Sequence, residues 1–243
     1  MKTLLVTIMS IFLFAFSCKD DAKTEQLNGL EGEVAEALDD AGIKAEDFKG
    51  NINELLTLEM AAKASGLPAS EAETKHSKFS SLESLKYVWG SNRTRKVEVM
   101  KGNFMDVPLE NVIELSWVKN TTLKQFKHDY HNPTPEEIKN AEAAMEKKMT
   151  ELERDGKATP EQTNTASGIA KNSISNFKVN EVPNLGDYAV FVDSGIMGVT
   201  TRDLKVFYKG LSFTLRVDLS DDMQDNDQKA VTAAKMIIEE KLK

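Results

Sequence analysis

The chain has 243 residues, of which 39 are acidic and 31 are basic, so its formal net charge is −8 at neutral pH. This balance argues against nucleic acid as a partner, because nucleic-acid-binding proteins present basic surfaces, and against electrostatic docking on anionic lipid. The single cysteine excludes intrachain disulfides and all-cysteine metal sites.

Residues 1–17 have the pattern of a signal peptide. Lys2 precedes an apolar run that is shorter than the ~20 residues needed to span a bilayer. The run ends at Ser17-Cys18, and a small residue before a cysteine resembles the lipobox of bacterial lipoproteins. The resemblance implies diacylglycerol on the Cys18 thiol, removal of the leader and acylation of the new amino terminus, for example with palmitate. The alternative is an ordinary secreted protein with a leftover thiol.

The residues after Cys18 indicate where the protein is sent. Lys19, Asp20 and Asp21 resemble the surface-export signal of Bacteroidota lipoproteins, which implies attachment to the outer membrane and exposure on the cell surface. Residues 19–26 contain no apolar side chain larger than alanine. We therefore predict that 18–26 is a tether between the lipid and the folded part.

Two helices are predicted before the first strand. Apolar residues recur at helical spacing within 27–50, which predicts an amphipathic helix followed by a linker; they are Leu27, Leu30, Val34 and Leu38. Thr57 is placed to cap a second helix over 58–65, and Gly66 is placed to end it.

The next part of the chain predicts a loop and then strands. Residues 69–81 are polar and small, so a loop is expected there. Three segments rich in β-branched and aromatic residues follow and are predicted as strands, at 84–89, 96–100 and 111–119.

A helical hairpin is predicted over 134–174. Thr134-Pro135-Glu136-Glu137 is a capping box with proline at the first helical position. Thr159-Pro160-Glu161-Gln162 repeats the same start after Asp155-Gly156. A short turn between two helices makes them antiparallel neighbours.

The C-terminal part returns to strands and closes with a helix. Strands are predicted at 187–192, 203–208 and 212–219, with Lys209-Gly210 as a hairpin turn. Asp225 is placed to cap the last helix. We predict one α+β domain over 51–243, in which helices lie on one face of a mainly antiparallel sheet and the hairpin is an insertion.

The C-terminal third has three distinctive motifs: Val182-Pro-Asn-Leu-Gly-Asp-Tyr-Ala189, Leu204-Lys-Val-Phe-Tyr-Lys-Gly210 and the helix containing Ala233-Ala-Lys-Met-Ile-Ile238. Together they resemble those of small envelope lipoproteins of the Mog1/PsbP-like fold. Leu55-Leu-Thr-Leu-Glu-Met-Ala-Ala62 resembles the opening helix of that group. Because members of this fold are mostly binding or accessory proteins, the resemblance implies a function other than catalysis.

Two groups of residues are weak candidates for a metal site. His128 and His131 are three residues apart, so on one helix they would share a face. The stretch Asp218–Asp227 is acidic and contains Asp221 and Asp225, but it fails the calcium-loop pattern because Asn226 stands where that loop needs glycine. A charged loop and a solvated helix end explain both groups more simply, so no metal or cofactor is predicted.

No catalytic constellation is found in the sequence. The Gly-x-Ser-x-Gly motif, the lysine-containing phosphate loop and the Gly-x-Gly-x-x-Gly motif are absent. The Ser-x-x-Lys spacing of serine β-lactamases occurs at Ser116 and at Ser175, but the Lys-Thr-Gly that accompanies it is absent. The aromatic residues in strands, among them Trp89, Trp117, Tyr188 and Phe191, are predicted to line the core or a groove. The expected function is therefore non-enzymatic binding of an envelope or protein partner by a lipid-anchored domain. The alternative is an envelope hydrolase or metal enzyme that uses His128 and His131 or the aspartates.

Overall fold

A computed structural model describes residues 42–79, 82–100, 103–193 and 201–243. Residue contacts divide them into two compact units. One unit consists chiefly of 131–179, and the other contains the remaining strands and helices. Of the helix and linker predicted over 27–50, residues 27–41, with all four apolar residues of the helix, lie outside the described residues. The single-domain prediction for 51–243 stays a prediction.

The described residues contain nine strands, here numbered in chain order, and the boundary between the two units falls within the sixth. They are β1 (Glu73–Phe79), β2 (Leu82–Trp89), β3 (Thr94–Met100), β4 (Asn103–Pro108), β5 (Asn111–Asn120), β6 (Lys178–Glu181), β7 (Tyr188–Asp193), β8 (Asp203–Tyr208) and β9 (Leu211–Asp218). Seven of them form one sheet in the order β1-β2-β5-β9-β8-β7-β6, while β3 and β4 form a separate two-stranded sheet. The pairs β1–β2, β2–β5, β5–β9, β9–β8 and β8–β7 are antiparallel. The α+β prediction with a large antiparallel sheet is confirmed.

Six α-helices accompany the strands in the described ranges. They are α1 (Ile52–Leu55), α2 (Leu58–Ser65), α3 (Leu123–Asp129), α4 (Pro135–Arg154), α5 (Pro160–Asn176) and α6 (Met223–Lys241). As predicted, the Thr57 hydroxyl accepts from the Met60 amide at the start of α2, and Gly66 ends that helix in the left-handed region. None of the helices described is long and apolar enough to cross a membrane.

The main core lies on one face of the seven-stranded sheet. Alternate residues of its strands pack there against α1, α2 and α6, as the period of two in a strand requires. The predicted apolar stripe of the last helix is buried in this core, including Ala230, Ala234 and Ile237. The capping prediction for Asp225 is wrong, because the Asp222 side chain caps α6 and Asp225 pairs with Lys229 one turn further on.

The short helix α3 adds to the predicted architecture, because it covers part of the opposite face of the sheet. Its buried Phe126 ring lies 5.7 Å from the ring of Phe207 and 6.1 Å from that of Tyr188, measured between centroids. From the sequence we expect a helix to end near His128 and His131, but without bounds; the helix has seven residues and one buried side chain.

The predicted loop over 69–81 is wrong for 73–79, which form strand β1. The strand pairs with β2 along its whole length, from Glu73 opposite Val88 to Phe79 opposite Leu82. Its residues are largely exposed, so they carry no apolar alternation that a periodicity argument can detect. Backbone hydrogen bonding to β2 makes residues 73–79 a strand.

The helical hairpin of the smaller unit is confirmed. Both predicted capping boxes are formed, at Thr134 with Glu137 and at Thr159 with Gln162. Two methionines of α4, Met145 and Met149, are buried with Ala166 and Ala170 of α5. Small residues on α5 let the two helices approach, and the methionines fill the space between them.

Replacing Glu137 with glutamine is expected to reduce the pH dependence of unfolding between about pH 2 and pH 4.5. Hydrogen bonds from the Thr134 backbone and hydroxyl, and then from His131, lower the pKa of Glu137 to about 2. A carboxylate whose pKa falls on folding stabilises the folded state above its unfolded pKa, and that contribution is lost as the pH falls through the folded pKa. Urea unfolding followed by circular dichroism across this range measures the change.

The second capping box supplies the control for this experiment. Gln162→Ala removes an equivalent hydrogen bond to the Thr159 amide without removing a titratable group. It should lower the free energy of unfolding by the same amount at every pH. If Glu137→Gln behaved in the same way, the proposed titration of Glu137 would be wrong.

Candidate functional site

The predicted lipidation site lies outside the described residues. Cys18 and the export signal Lys19, Asp20 and Asp21 all precede residue 42, where the described part begins. Lipidation and surface export therefore stay predictions from sequence.

The two candidate histidines do not share one helical face. Helix α3 ends at Asp129, and Tyr130 leaves the helical conformation with φ −125° and ψ 74°. His128 lies in the last turn, whereas His131 lies beyond the helix, with its Nε2 atom 3.1 Å from both carboxylate oxygens of Glu137. His131 thus contributes to the start of α4.

Each aspartate of the acidic stretch has a hydrogen-bond or ion-pair partner. Asp218 and Asp221 accept from the Arg93 guanidinium, at 2.9 and 3.3 Å. Asp222 caps α6, Asp225 pairs with Lys229 at 2.8 Å, and Asp227 pairs with Arg202. Basic side chains and backbone amides thus hold these carboxylates. Within the described ranges, no group of three histidine, cysteine, aspartate or glutamate side chains is arranged to hold a metal ion.

An open groove lies between the β1–β2 end of the sheet and helices α1 and α2. Its volume is about 740 Å³. The strand side consists of Thr74 and His76 of β1 and, directly opposite them in the ladder, Tyr87 and Leu85 of β2. These four side chains are on the core face of the sheet, at the point where the helices no longer cover it completely.

The helix side of the groove carries charges of both signs. Glu54 of α1, Glu59 of α2 and Lys241 of α6 line it, and Phe48 contributes an aromatic ring. The buried Tyr87 hydroxyl donates to the Leu56 carbonyl at 2.8 Å. Burial, and then the nearby Glu59 carboxylate, raise the pKa of Tyr87 to about 12, so this phenol stays protonated at physiological pH.

Glu83 holds one end of the groove in place. Its carboxylate accepts from the Gly50 amide at 2.9 Å, pairs with Lys78 at 2.9 Å and lies 3.7 Å from the His76 ring. Hydrogen bonds from Lys78 and Gly50 lower the pKa of Glu83, so the carboxylate remains charged. The turn before α1 is thereby tied to strands β1 and β2.

Within the part of the chain that the structure describes, strand β1 is an edge of the seven-stranded sheet. It is the first strand in the sheet order, with β2 as its neighbour on one side. Every second residue of an edge strand directs its N–H and C=O groups outward, where another strand can pair with them. The groove borders this edge, so a segment that paired with β1 would place alternate side chains beside Thr74 and His76.

A row of alternating charges crosses the opposite face of the same sheet. Lys86, Glu114, Arg216 and Asp203 are directly opposite one another on successive strands. The row ends at Lys205, whose Nζ lies 3.1 Å from Asp203 and 3.2 Å from the Thr214 hydroxyl. The sequence shows these residues only as scattered charges, because it does not reveal the register that aligns them.

The prediction that Trp117 lies in the core is wrong. It lies at a β-bulge of β5, between Ser116 and Lys119, with φ 56° and 41% of its surface exposed. By contrast, Trp89 is buried, and its indole N–H donates to the Pro68 carbonyl at 2.9 Å. A period-two pattern does not locate a bulge, so it places Trp117 incorrectly.

Comparison with known proteins adds no relative. No protein-family model matches the chain, and neither a curated protein nor a solved structure does. The class that the fold defines is an α+β protein with a seven-stranded sheet, one open edge of which borders a groove.

Proposed function

We propose that this protein is a lipid-anchored, non-catalytic binding protein of a bacterial envelope, and that it captures an extended segment of a partner protein along strand β1. The observation that carries the proposal is the exposed edge strand beside the groove. Addition of a strand to a sheet edge is a common way to recognise extended peptides: the backbone supplies affinity and the adjoining pockets select side chains.

The chemistry of the groove favours a segment with a basic or aromatic side chain. The two carboxylates of Glu54 and Glu59 outnumber the Lys241 ammonium on the helix side, and the partly exposed Phe48 provides aromatic surface. Carboxylates and aromatic faces both attract cations, and the aromatic rings also accept apolar side chains. Lys75 and Lys78 on β1 are paired with glutamates, so they need not repel such a segment.

Two resemblances in the sequence support the proposed location in the envelope. The leader and Cys18 resemble those of bacterial lipoproteins, and the C-terminal third resembles the Mog1/PsbP-like group. A binding or accessory role fits both resemblances. The anchor would keep the β1 edge close to membrane-associated partners.

Thr74→Arg is expected to weaken binding of an extended peptide about tenfold or more, because the new side chain would occupy the groove. The probe is a peptide selected from a displayed random library on the purified protein, and its Kd is measured by fluorescence anisotropy. The matched control is Ser77→Arg, on the same strand but on the opposite face of the sheet. Equal losses in the two variants would contradict a groove-directed mode.

Backbone pairing has its own test. N-methylation of single peptide residues should weaken binding about 2- to 10-fold at alternate positions, because each methyl group removes one hydrogen bond to β1. The positions between them should tolerate the change. Uniform tolerance along the peptide would rule out strand addition.

The anchor is tested separately by incorporation of radiolabelled palmitate. Wild-type protein should be labelled and Cys18→Ala should not. Equal labelling of the two would reject the lipid anchor and leave the groove proposal to be judged on its own binding data.

A further inference from the structure

His76 lies in the lining of the groove that borders β1. It is on the core face of that strand, directly opposite Leu85 of β2, and 39% of its side chain is exposed. Histidine ordinarily titrates near pH 6.5, so it is the side-chain type that changes charge between about pH 5 and pH 8. A group of this kind is therefore open to solvent in the surface where we propose that a partner binds.

Protonation of His76 would change the net charge of the groove. Three other ionised side chains line it in the described part of the chain, Glu54 of α1, Glu59 of α2 and Lys241 of α6. The Tyr87 phenol is neutral, because burial, and then Glu59, raise its pKa to about 12. Two carboxylates and one ammonium give the lining a net charge of −1 while the imidazole is neutral. One more positive charge brings it to zero.

The charged neighbours of His76 on the two strands do not cancel this change. Lys78 of β1 and Glu83 of β2 are directly opposite each other and pair at 2.9 Å. Hydrogen bonds from Lys78 and from the Gly50 amide lower the pKa of Glu83, so its carboxylate is charged throughout this range. The Nε2 atom of His76 lies 3.7 Å from the same carboxylate. An imidazolium would thus share a carboxylate that Lys78 already balances.

We propose that His76 makes capture at β1 depend on pH, so that a segment with a basic side chain in the groove is held when the imidazole is neutral and released when it is protonated. The inference rests on the proposed function, because it concerns the same groove. Glu54 and Glu59 attract a bound cation in both states, whereas the imidazolium repels it. An uncharged side chain of similar length does not respond in this way.

The test compares the affinity of one peptide at about pH 8 and about pH 5.5, on either side of the ordinary histidine pKa. The probe is a peptide with a single lysine, selected from a displayed library on the purified protein at the higher pH. The peptide used is one whose affinity falls when norleucine replaces the lysine, in the wild type but not in Glu59→Gln, which places that lysine in the groove. Its Kd is measured by fluorescence anisotropy.

We expect the Kd of the wild type to rise about three- to tenfold at the lower pH, the effect of one added charge several ångströms from a bound cation. Carboxylates are ordinarily still ionised there, so the attraction of the glutamates persists. The norleucine analogue should bind with the same Kd at both pH values.

Two substitutions fix the charge at position 76. His76→Gln is uncharged, so it should bind as tightly at the lower pH as at the higher. His76→Lys is charged at both, so it should bind weakly at both. His128→Gln is the matched control, because it removes a histidine from α3, outside the lining of the groove, and it should keep the full pH dependence. Urea unfolding at both pH values corrects each Kd for any loss of folded protein.

The outcomes separate failure of the pH response from failure of capture itself. A lysine peptide that bound the wild type with the same Kd at both pH values would overturn the role of His76 and leave capture at β1 standing. A pH response that persisted in His76→Gln, or that disappeared in His128→Gln, would overturn it as well. If selection yielded no lysine peptide that binds in the groove, capture of a basic segment would be rejected, and the pH response with it.

Discussion

Replacing Lys205 with alanine is expected to destabilise the protein by about 3–5 kcal/mol, as removal of one partner from a buried ion pair generally does. Lys205 is buried, and its ammonium group is held by Asp203 and by the Thr214 hydroxyl. Its Nζ also lies 5.5 Å from the centre of the Tyr130 ring. Truncation would leave a mostly buried Asp203 with Arg216 alone and would open a cavity.

The ionisation of this group gives a second readout. Burial lowers the pKa of Lys205 despite the attraction of Asp203. Burial alone would raise the pKa of Asp203, but Lys205 and Arg216 outweigh it and hold that pKa below its ordinary value. A base whose pKa falls on folding binds more protons when unfolded, so stability rises as the pH climbs through the folded pKa toward about 10.5. That rise should be absent in Lys205→Ala.

Urea unfolding of Lys205→Ala and Lys86→Ala measures both effects. Lys86 is the control, because it lies in the same row of charges and pairs with Glu114 at 3.5 Å but is 42% exposed at its side chain. An exposed pair contributes about 0–1 kcal/mol. If the two variants lost similar stability, burial of Lys205 would not be the reason for its importance.

Replacing Gly186 with alanine is expected to cost about 2–4 kcal/mol. Gly186 has φ 61°, and a β-carbon there would lie 2.6 Å from the carbonyl oxygen of Phe207. Left-handed backbone alone costs roughly 1–3 kcal/mol for other residues, and here the obstacle is backbone that cannot rotate away. The same carbonyl accepts a hydrogen bond from the Asp187 amide at 3.0 Å, so the turn lies directly against β8.

Gly168 is the control for this substitution. It lies within α5, and a β-carbon there would meet nothing within 4 Å. Gly168→Ala should stabilise the protein by about 0.5–1 kcal/mol, because alanine favours a helix more than glycine does. Urea unfolding compares the two variants. Equal effects would mean that close approach to Phe207 does not explain the requirement for glycine.

The Gly186 turn also explains part of the resemblance to the Mog1/PsbP-like group. The Leu-Gly-Asp sequence places Leu185 in the core, Gly186 against β8 and the Asp187 carboxylate on the Lys209 amide at 2.7 Å. The following Lys209-Gly210 turn has φ 47° and 81°, as a tight hairpin with two left-handed residues requires. These motifs therefore report how the sheet is built and do not identify a ligand.

Much of the fold could be predicted because its signals are local. Capping boxes at Thr134 and Thr159, the glycine after α2 and the two-residue turn before β9 act within a few residues of themselves. The apolar stripe of α6 is similarly local, since a helix repeats every 3.6 residues. For elements with such signals, the predicted first and last residues differ from the observed ones by a few positions.

The candidate site could not be predicted in this way. Strand β1 has polar residues on both faces, so only pairing with β2 makes it a strand and an open edge. The groove is lined by β1 and β2 together with helices that are distant from them in the chain. The row from Lys86 to Lys205 depends on the register of four strands. These are properties of pairs of distant residues.

By itself, the sequence determined the class of fold, the helical hairpin, the terminal helix and the expectation of a lipid on Cys18, because each rests on a local pattern. Only the tertiary structure decided that β1 is an edge beside a groove, that Lys205 is buried against Asp203 and that Arg93 pairs with Asp218 and Asp221. Burial and edge position arise when segments far apart in the chain come together. A linear pattern contains neither.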